Sequence, residues 1–141
     1  MSLKMDNFVA ALMELGVSPE LIEGRDFRDV NQRLLNTFFM PTKTATGKWV
    51  YRGFRWHSYS YGHQEVDSGK PAVAAYYRQP IVPFFIYHEC YDEMLKCTAD
   101  AWPDICSFRD DIYVFSSDFQ WLFTTTHERG YGPYFASVSF A

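Results

Sequence analysis

The chain has 141 residues, 48% of them apolar, and 17 acids against 13 bases for a formal net charge of −4. That length suits one domain with a sizeable core, and the charge leaves no basic stripe of the kind a phosphate backbone requires, which argues against nucleic acid as a partner. No stretch approaches the ~20 apolar residues of a membrane span, and no apolar leader occurs around Lys4, Asp6, Glu14, Glu20 and Glu23.

Cys90, Cys97 and Cys106 form no Cys-x-x-Cys motif, so neither a zinc site nor a thioredoxin-type centre is expected. A reducing, cytoplasmic setting without a cofactor fits this usage. One domain is expected over residues 1–141, with residues 1–4 outside its ordered part.

In chain order, Phe8, Leu12 and Leu15 recur at helical spacing and Gly16 stops that helix. Ser18-Pro19-Glu20 predicts a short helical turn with Ser as cap and Pro first. A second helix begins at Asp26, carries Phe27, Val30, Leu34 and Phe38 on one face, and ends before Pro41. The run from Trp49 to Tyr61 reads as a strand by its aromatic and β-branched content, with Gly53 at a bulge. Pro71 opens a short helix over AVAAYYRQ, residues 72–79. Pro83 to Cys90 is too apolar for a wet edge and reads as a buried strand. Tyr91, Met94, Leu95 and Thr98 suggest a further helix, and the C-terminal third reads as three strands in a meander. Helices and strands do not alternate, so the expected class is α+β, with N-terminal helices packed on a mostly antiparallel sheet.

The segment from Asp111 to Phe135 concentrates the fold signals. A two-residue turn at Ser117-Asp118 would set Val114 opposite Trp121, Ile112 opposite Phe123, and Phe108 opposite His127. Trp121, Phe123, Thr125 and His127 would then share one face, with Glu128 on the other. On such a strand His127 and Glu128 could not act as one acid–base pair, and His127, between Phe108 and Phe135, would favour the neutral ring.

The aromatic share of 19% is unusual, and much of it must be core; Trp56, Tyr59, Trp121 and Tyr134 are the candidates for a binding face. The candidate reactive groups are His127, His88 and Glu128. A metal could draw on His57, His88 and His127, because imidazole suits zinc or iron, although no His-Glu-x-x-His motif occurs. Cys90 reads as a buried structural thiol rather than a nucleophile. Asp104, Asp110, Asp111 and Glu128 could supply paired carboxylates, yet Asp110-Asp111 more simply marks the start of a strand. Dispersed glycines exclude a phosphate loop and a nucleophile elbow.

The segments Arg55-Trp56-His57-Ser58-Tyr59-Ser60-Tyr61, Ala72 to Tyr77 and Phe85-Ile86-Tyr87-His88 resemble a family of small, single-domain bacterial proteins of uncharacterised function. So, most strongly, do Asp111-Ile112-Tyr113-Val114, Asp118-Phe119-x-Trp121, Thr126-His127-Glu128 and Gly132-Pro133-Tyr134-Phe135. The likeness covers about residues 50–135 and departs from the pattern where Leu122, not Thr, follows Trp121. It implies no activity and no catalytic residue. In size, acidity and aromatic content the chain is also similar to the small immunity proteins of bacterial toxin systems, a likeness of class alone.

These readings favour a non-enzymatic protein-binding module of immunity or accessory type. The alternative is a small hydrolase or metal-dependent enzyme with a pocket around His127. They name no oligomeric state.

Overall fold

Residues along β3 (Phe84–His88) and β5 (Ile112–Ser116) are buried at every position, so this sheet is covered on both faces. Phe84, Ile86, Ile112 and Val114 enter one core, whereas Phe85, Tyr87, Tyr113 and Phe115 enter the other. That alternation is the period of two expected of a pleated strand. A computed structural model describes residues 3–39, 55–56, 59, 66–128 and 130–138.

The remaining strands are β1 (Val17–Ile22), β2 (Asp67–Ser68), β4 (Glu93–Ala99), β6 (Trp121–Thr124) and β7 (Tyr134–Ser137). They form one seven-stranded sheet in the order β1-β4-β3-β5-β6-β7-β2. Every pairing is antiparallel. Helix α1 (Leu3–Glu14) sets Met5, Phe8 and Leu12 against one face, together with Ala72, Ala75 and Tyr76 of α3 (Lys70–Arg78). Helix α2 (Gly24–Phe38) covers the opposite face with Leu34 and Phe38, joined by Phe39, Trp56 and Tyr59. The α+β class and the C-terminal β5-β6-β7 meander therefore match the sequence reading.

Helix α1 starts at Leu3. Ser18-Pro19-Glu20 lies in β1 rather than a helical turn, because six residues of β1 pair with β4. Pro19 is tolerated there because, among the described residues, β1 is an edge strand with one unpaired side. The segment expected as a helix from Tyr91 is the turn and strand of a hairpin. Met94 and Leu95 enter opposite cores, and β4 is paired on both sides by β1 and β3, which overrides a local helical spacing. Most of the Trp49–Tyr61 run lies outside the described residues. Arg55, Trp56 and Tyr59 are described, and none of them is in a strand.

The β5–β6 register also differs. Residues 117–120 form the turn, with Phe119 at φ 57°, and Val114 pairs with Phe123 rather than Trp121. Ser116 Oγ accepts the Gln120 N–H at 3.0 Å and stabilises this longer turn. The displacement is two residues, so Trp121 and Phe123 still share a face as expected.

Candidate functional site around Asp111 and His127

Asp111 immediately precedes β5, and its backbone is fixed from both neighbouring strands. Its carbonyl accepts the Glu89 N–H at 3.1 Å. The next residue's carbonyl, on Ile112, accepts the Thr125 N–H at 2.9 Å, and Thr125 Oγ1 donates to the Asp110 carbonyl at 2.8 Å. The carboxylate of Asp111 is thereby held inside the protein, with its side chain only 6% exposed.

A buried carboxylate needs donors, and Asp111 has several. Trp56 Nε1–H donates to Oδ1 at 2.7 Å and the His127 backbone N–H donates to the same oxygen at 3.2 Å. His127 Nδ1 reaches both oxygens, at 2.9 and 2.8 Å. The His127 side chain is 40% exposed, and its Nε2 lies 3.6 Å from Glu128 Oε1. The hydrogen bond to Asp111 raises the His127 pKa above its ordinary 6.5, against a smaller opposing effect of burial. A carboxylate on Nδ1 keeps a proton there and makes Nε2 the basic nitrogen of the neutral ring.

A second network anchors Trp56. Tyr113 O–H donates to Glu89 Oε1 at 2.6 Å, and its oxygen accepts the Trp56 N–H at 2.9 Å. Glu89 also accepts the Arg55 N–H at 3.1 and 3.2 Å. Burial pushes the Glu89 carboxyl upward, opposed by these donors. The Arg55 guanidinium donates to Asn31 Oδ1 at 2.6 Å and lies 4.3 Å over the Tyr87 ring. These contacts carry the indole of Trp56 to Asp111 from a segment remote in sequence.

A cleft of about 210 Å³ is lined by Cys106, Arg109, Thr125, Thr126, Glu128 and the Gly130–Pro133 turn; His127 is not among these lining residues. Gly130 and Gly132 both have positive φ, 87° and 72°. A Cβ on Gly132 would stand 3.1 Å from Thr126 Cγ2, so the turn packs closely on the residue preceding His127.

A family model described as a domain of unknown function matches residues 38–135. The chain belongs to the DUF4275 family. The DUF4275 span contains Trp56, Glu89, Asp111, Tyr113 and His127, and it omits α1 and β1. No curated protein matches the chain, and no solved structure does.

The expected site residues separate into distinct environments. Trp56, Tyr59, Trp121 and Tyr134 are buried, at 0%, 4%, 5% and 6% exposed. Trp121 also lies on the opposite face of the sheet from the other three. Their rings fill the two cores, which is why no common surface forms from them. His88 is buried among Phe8 and Tyr91, with ring centroids at 4.9 and 4.2 Å. Its Nε2 lies 3.4 Å from Asp110 Oδ2, and its Nδ1 has no partner among the described residues. Burial lowers the His88 pKa. His88 and His127 thus belong to two different carboxylates, Asp110 and Asp111.

His57 lies outside the described residues, and among those described no three His, Cys, Asp or Glu side chains gather to hold a metal ion. Cys90 is exposed in the turn between β3 and β4, not buried, whereas Cys97 is buried. His127 is not enclosed by Phe108 and Phe135. β6 ends at Thr124, and Phe135 pairs with Phe123. Because residues 127–128 are not in a strand, His127 and Glu128 do approach each other. The residue that sequence reasoning assigned to strand initiation, Asp111, is the centre of the site. The available signal was antiparallel pairing, which brings the start of β5 to the end of β6.

Proposed function

We propose that this DUF4275 protein is a small hydrolase in which His127 is the general acid–base and Asp111 its positioning residue. The observation that carries this reading is the buried Asp111 carboxylate on Nδ1 of a partly exposed imidazole. In the reaction, His127 Nε2 takes a proton from water, whose oxygen adds to an ester or amide carbonyl. The tetrahedral intermediate then collapses with cleavage of its C–O or C–N bond, and the imidazolium returns that proton to the departing alcohol or amine. Thr126 and Glu128, on either side of His127 in sequence, line a cleft that His127 itself does not line. A bacterial cytoplasmic setting is part of the proposal and accords with the cysteine usage. No helix among the described residues is long and apolar enough to cross a membrane.

The test is hydrolysis of a panel of small esters and amides by wild type, His127→Gln and Asp111→Asn. Loss of about 10²–10⁴-fold in turnover by His127→Gln supports the role. Equal turnover by wild type and His127→Gln on every substrate cleaved would refute it.

A second reading, a protein-binding module of accessory or immunity type, is favoured by a different observation. Met13, Leu15, Tyr77 and Ile81 are exposed apolar side chains, and Leu15 and Ile81 lie at the end of the sheet where Val17 pairs with Ala99. Ile81→Glu with Leu15→Glu should abolish stoichiometric co-purification of a partner. An unchanged partner stoichiometry in that double variant would count against this surface.

A further inference from the structure

One oxygen of Asp111 serves two residues. Trp56 Nε1–H donates to Oδ1 at 2.7 Å, the His127 N–H donates to it at 3.2 Å, and His127 Nδ1 lies 2.9 Å away. The indole contact is the shortest of the three, and Trp56 is fully buried. An indole nitrogen is a donor only, so this contact keeps its sense whether His127 is neutral or protonated.

The backbone of Trp56 is held on both sides. Its N–H donates to Tyr113 Oη at 2.9 Å, and its carbonyl accepts the Tyr59 N–H at 2.9 Å. The preceding N–H, that of Arg55, donates to the Glu89 carboxylate. The rings of His127 and Tyr131 flank the indole, with centroids at 6.4 and 5.6 Å. These contacts fix the point from which the indole reaches Asp111.

An N–H directed at a carboxylate stabilises its negative charge. The same N–H sets its positive end beside the imidazole that shares the oxygen, and so opposes a second positive charge there. The carboxylates of Asp111, Glu128 and Asp110 all act the other way and favour protonation of His127. A group that must take a proton from water works best when it titrates near the working pH, because an imidazole that is already protonated is no base.

We infer that Trp56 is a positioning residue of this site, whose indole N–H restrains the Asp111 carboxylate so that His127 Nε2 remains available as a base near neutral pH. This inference rests on the acid–base reading of His127 and adds the means by which that basicity is limited.

The experiment follows the His127 ring and the Trp56 indole N–H by NMR from pH 5 to 9 in wild type, Trp56→Phe and His127→Gln. The indole signal is assigned from its nuclear Overhauser contact with the His127 ring. In Trp56→Phe, His127 should bind its proton about three- to tenfold more tightly and titrate about 0.5 to 1 higher in pH, the size of one lost hydrogen bond. A purely structural role predicts the opposite, because a loosened Asp111 contact would lower the midpoint. An equal or lower midpoint in Trp56→Phe would therefore overturn the inference. Wild type supplies a readout that does not require the variant to fold. Its indole N–H signal should move with the same midpoint as the His127 ring and lose that step in His127→Gln. An indole signal without a step at that midpoint would also overturn the inference. Neither readout needs a substrate, so failure to cleave esters and amides counts against the acid–base reading, whereas the titrations test Trp56 alone.

Discussion

Asp111 holds His127 through both carboxylate oxygens, at 2.9 and 2.8 Å, across 16 residues of sequence that contain all of β5 and β6. The hairpin is the device that joins them. Its other contribution is burial, because a carboxylate enclosed this far binds an imidazole more strongly than one on an open surface.

Replacing Trp56 by Phe removes the indole N–H from Asp111 and keeps most of the apolar volume. The carboxylate then loses a buried donor, which should destabilise the fold by about 1–3 kcal/mol. Denaturant unfolding of the variant measures this directly. Tyr113→Phe should cost a similar ~1–3 kcal/mol, because Tyr113 O–H serves Glu89 and its oxygen serves the Trp56 N–H.

The two described histidines give opposite pH dependences. His127 has a raised folded pKa, so its stabilising contribution is complete below the unfolded value of about 6.5 and declines as pH rises through the folded pKa. Comparing unfolding free energies of wild type and His127→Gln from pH 5 to 9 should show the difference shrinking at the alkaline end. A difference independent of pH would show that the ion pair with Asp111 makes no net contribution.

His88 behaves in the reverse sense. Its folded pKa is lowered by burial, so stability is full above about 6.5 and falls as the pH drops below that value. His88→Phe keeps a ring against Phe8 and Tyr91 and removes the unpartnered Nδ1. The variant should be at least as stable as wild type near pH 5, with a smaller acid-induced loss. A steeper loss on acidification would show that the Asp110 contact outweighs burial.

Much of this fold is legible because burial enforces the pleat. Phe84 to His88 and Ile112 to Ser116 carry apolar or aromatic groups on both faces, and both are central strands. Segments with two compatible patterns were not legible. Glu93–Ala99 allows either a helical stripe or a strand, and only its pairing with β1 and β3 decides. Asp111 was obscured by turn length. A two-residue turn at Ser117-Asp118 places His127 opposite Phe108, whereas the observed residues 117–120 carry the chain past β6 to the Asp111 carboxylate. Side-chain facing survived that error because a displacement of two conserves the face. The partner of His127 did not survive it. The aromatic residues expected at a surface, Trp56 and Tyr134 among them, are large enough for either setting, and two covered sheet faces place them inside.

Gly132→Ala tests the turn beside the site. The position has φ 72°, and the added Cβ would meet Thr126 Cγ2 at 3.1 Å and the Tyr134 ring at 3.2 Å. Backbone strain and crowding together should cost about 1–3 kcal/mol. Gly130→Ala meets no neighbour within 4 Å among the described residues and carries the strain alone, so it should be the milder of the two in thermal unfolding.

The most direct measurement is the pH titration of the His127 ring by NMR in wild type and Asp111→Asn, with His127→Gln to assign the resonance. A titration above the ordinary 6.5 in wild type that falls in Asp111→Asn is the expected result, because the Asp111 carboxylate is the main cause of the shift. An unshifted wild-type titration, or the same value in both proteins, would contradict the claim that Asp111 sets the basicity of His127.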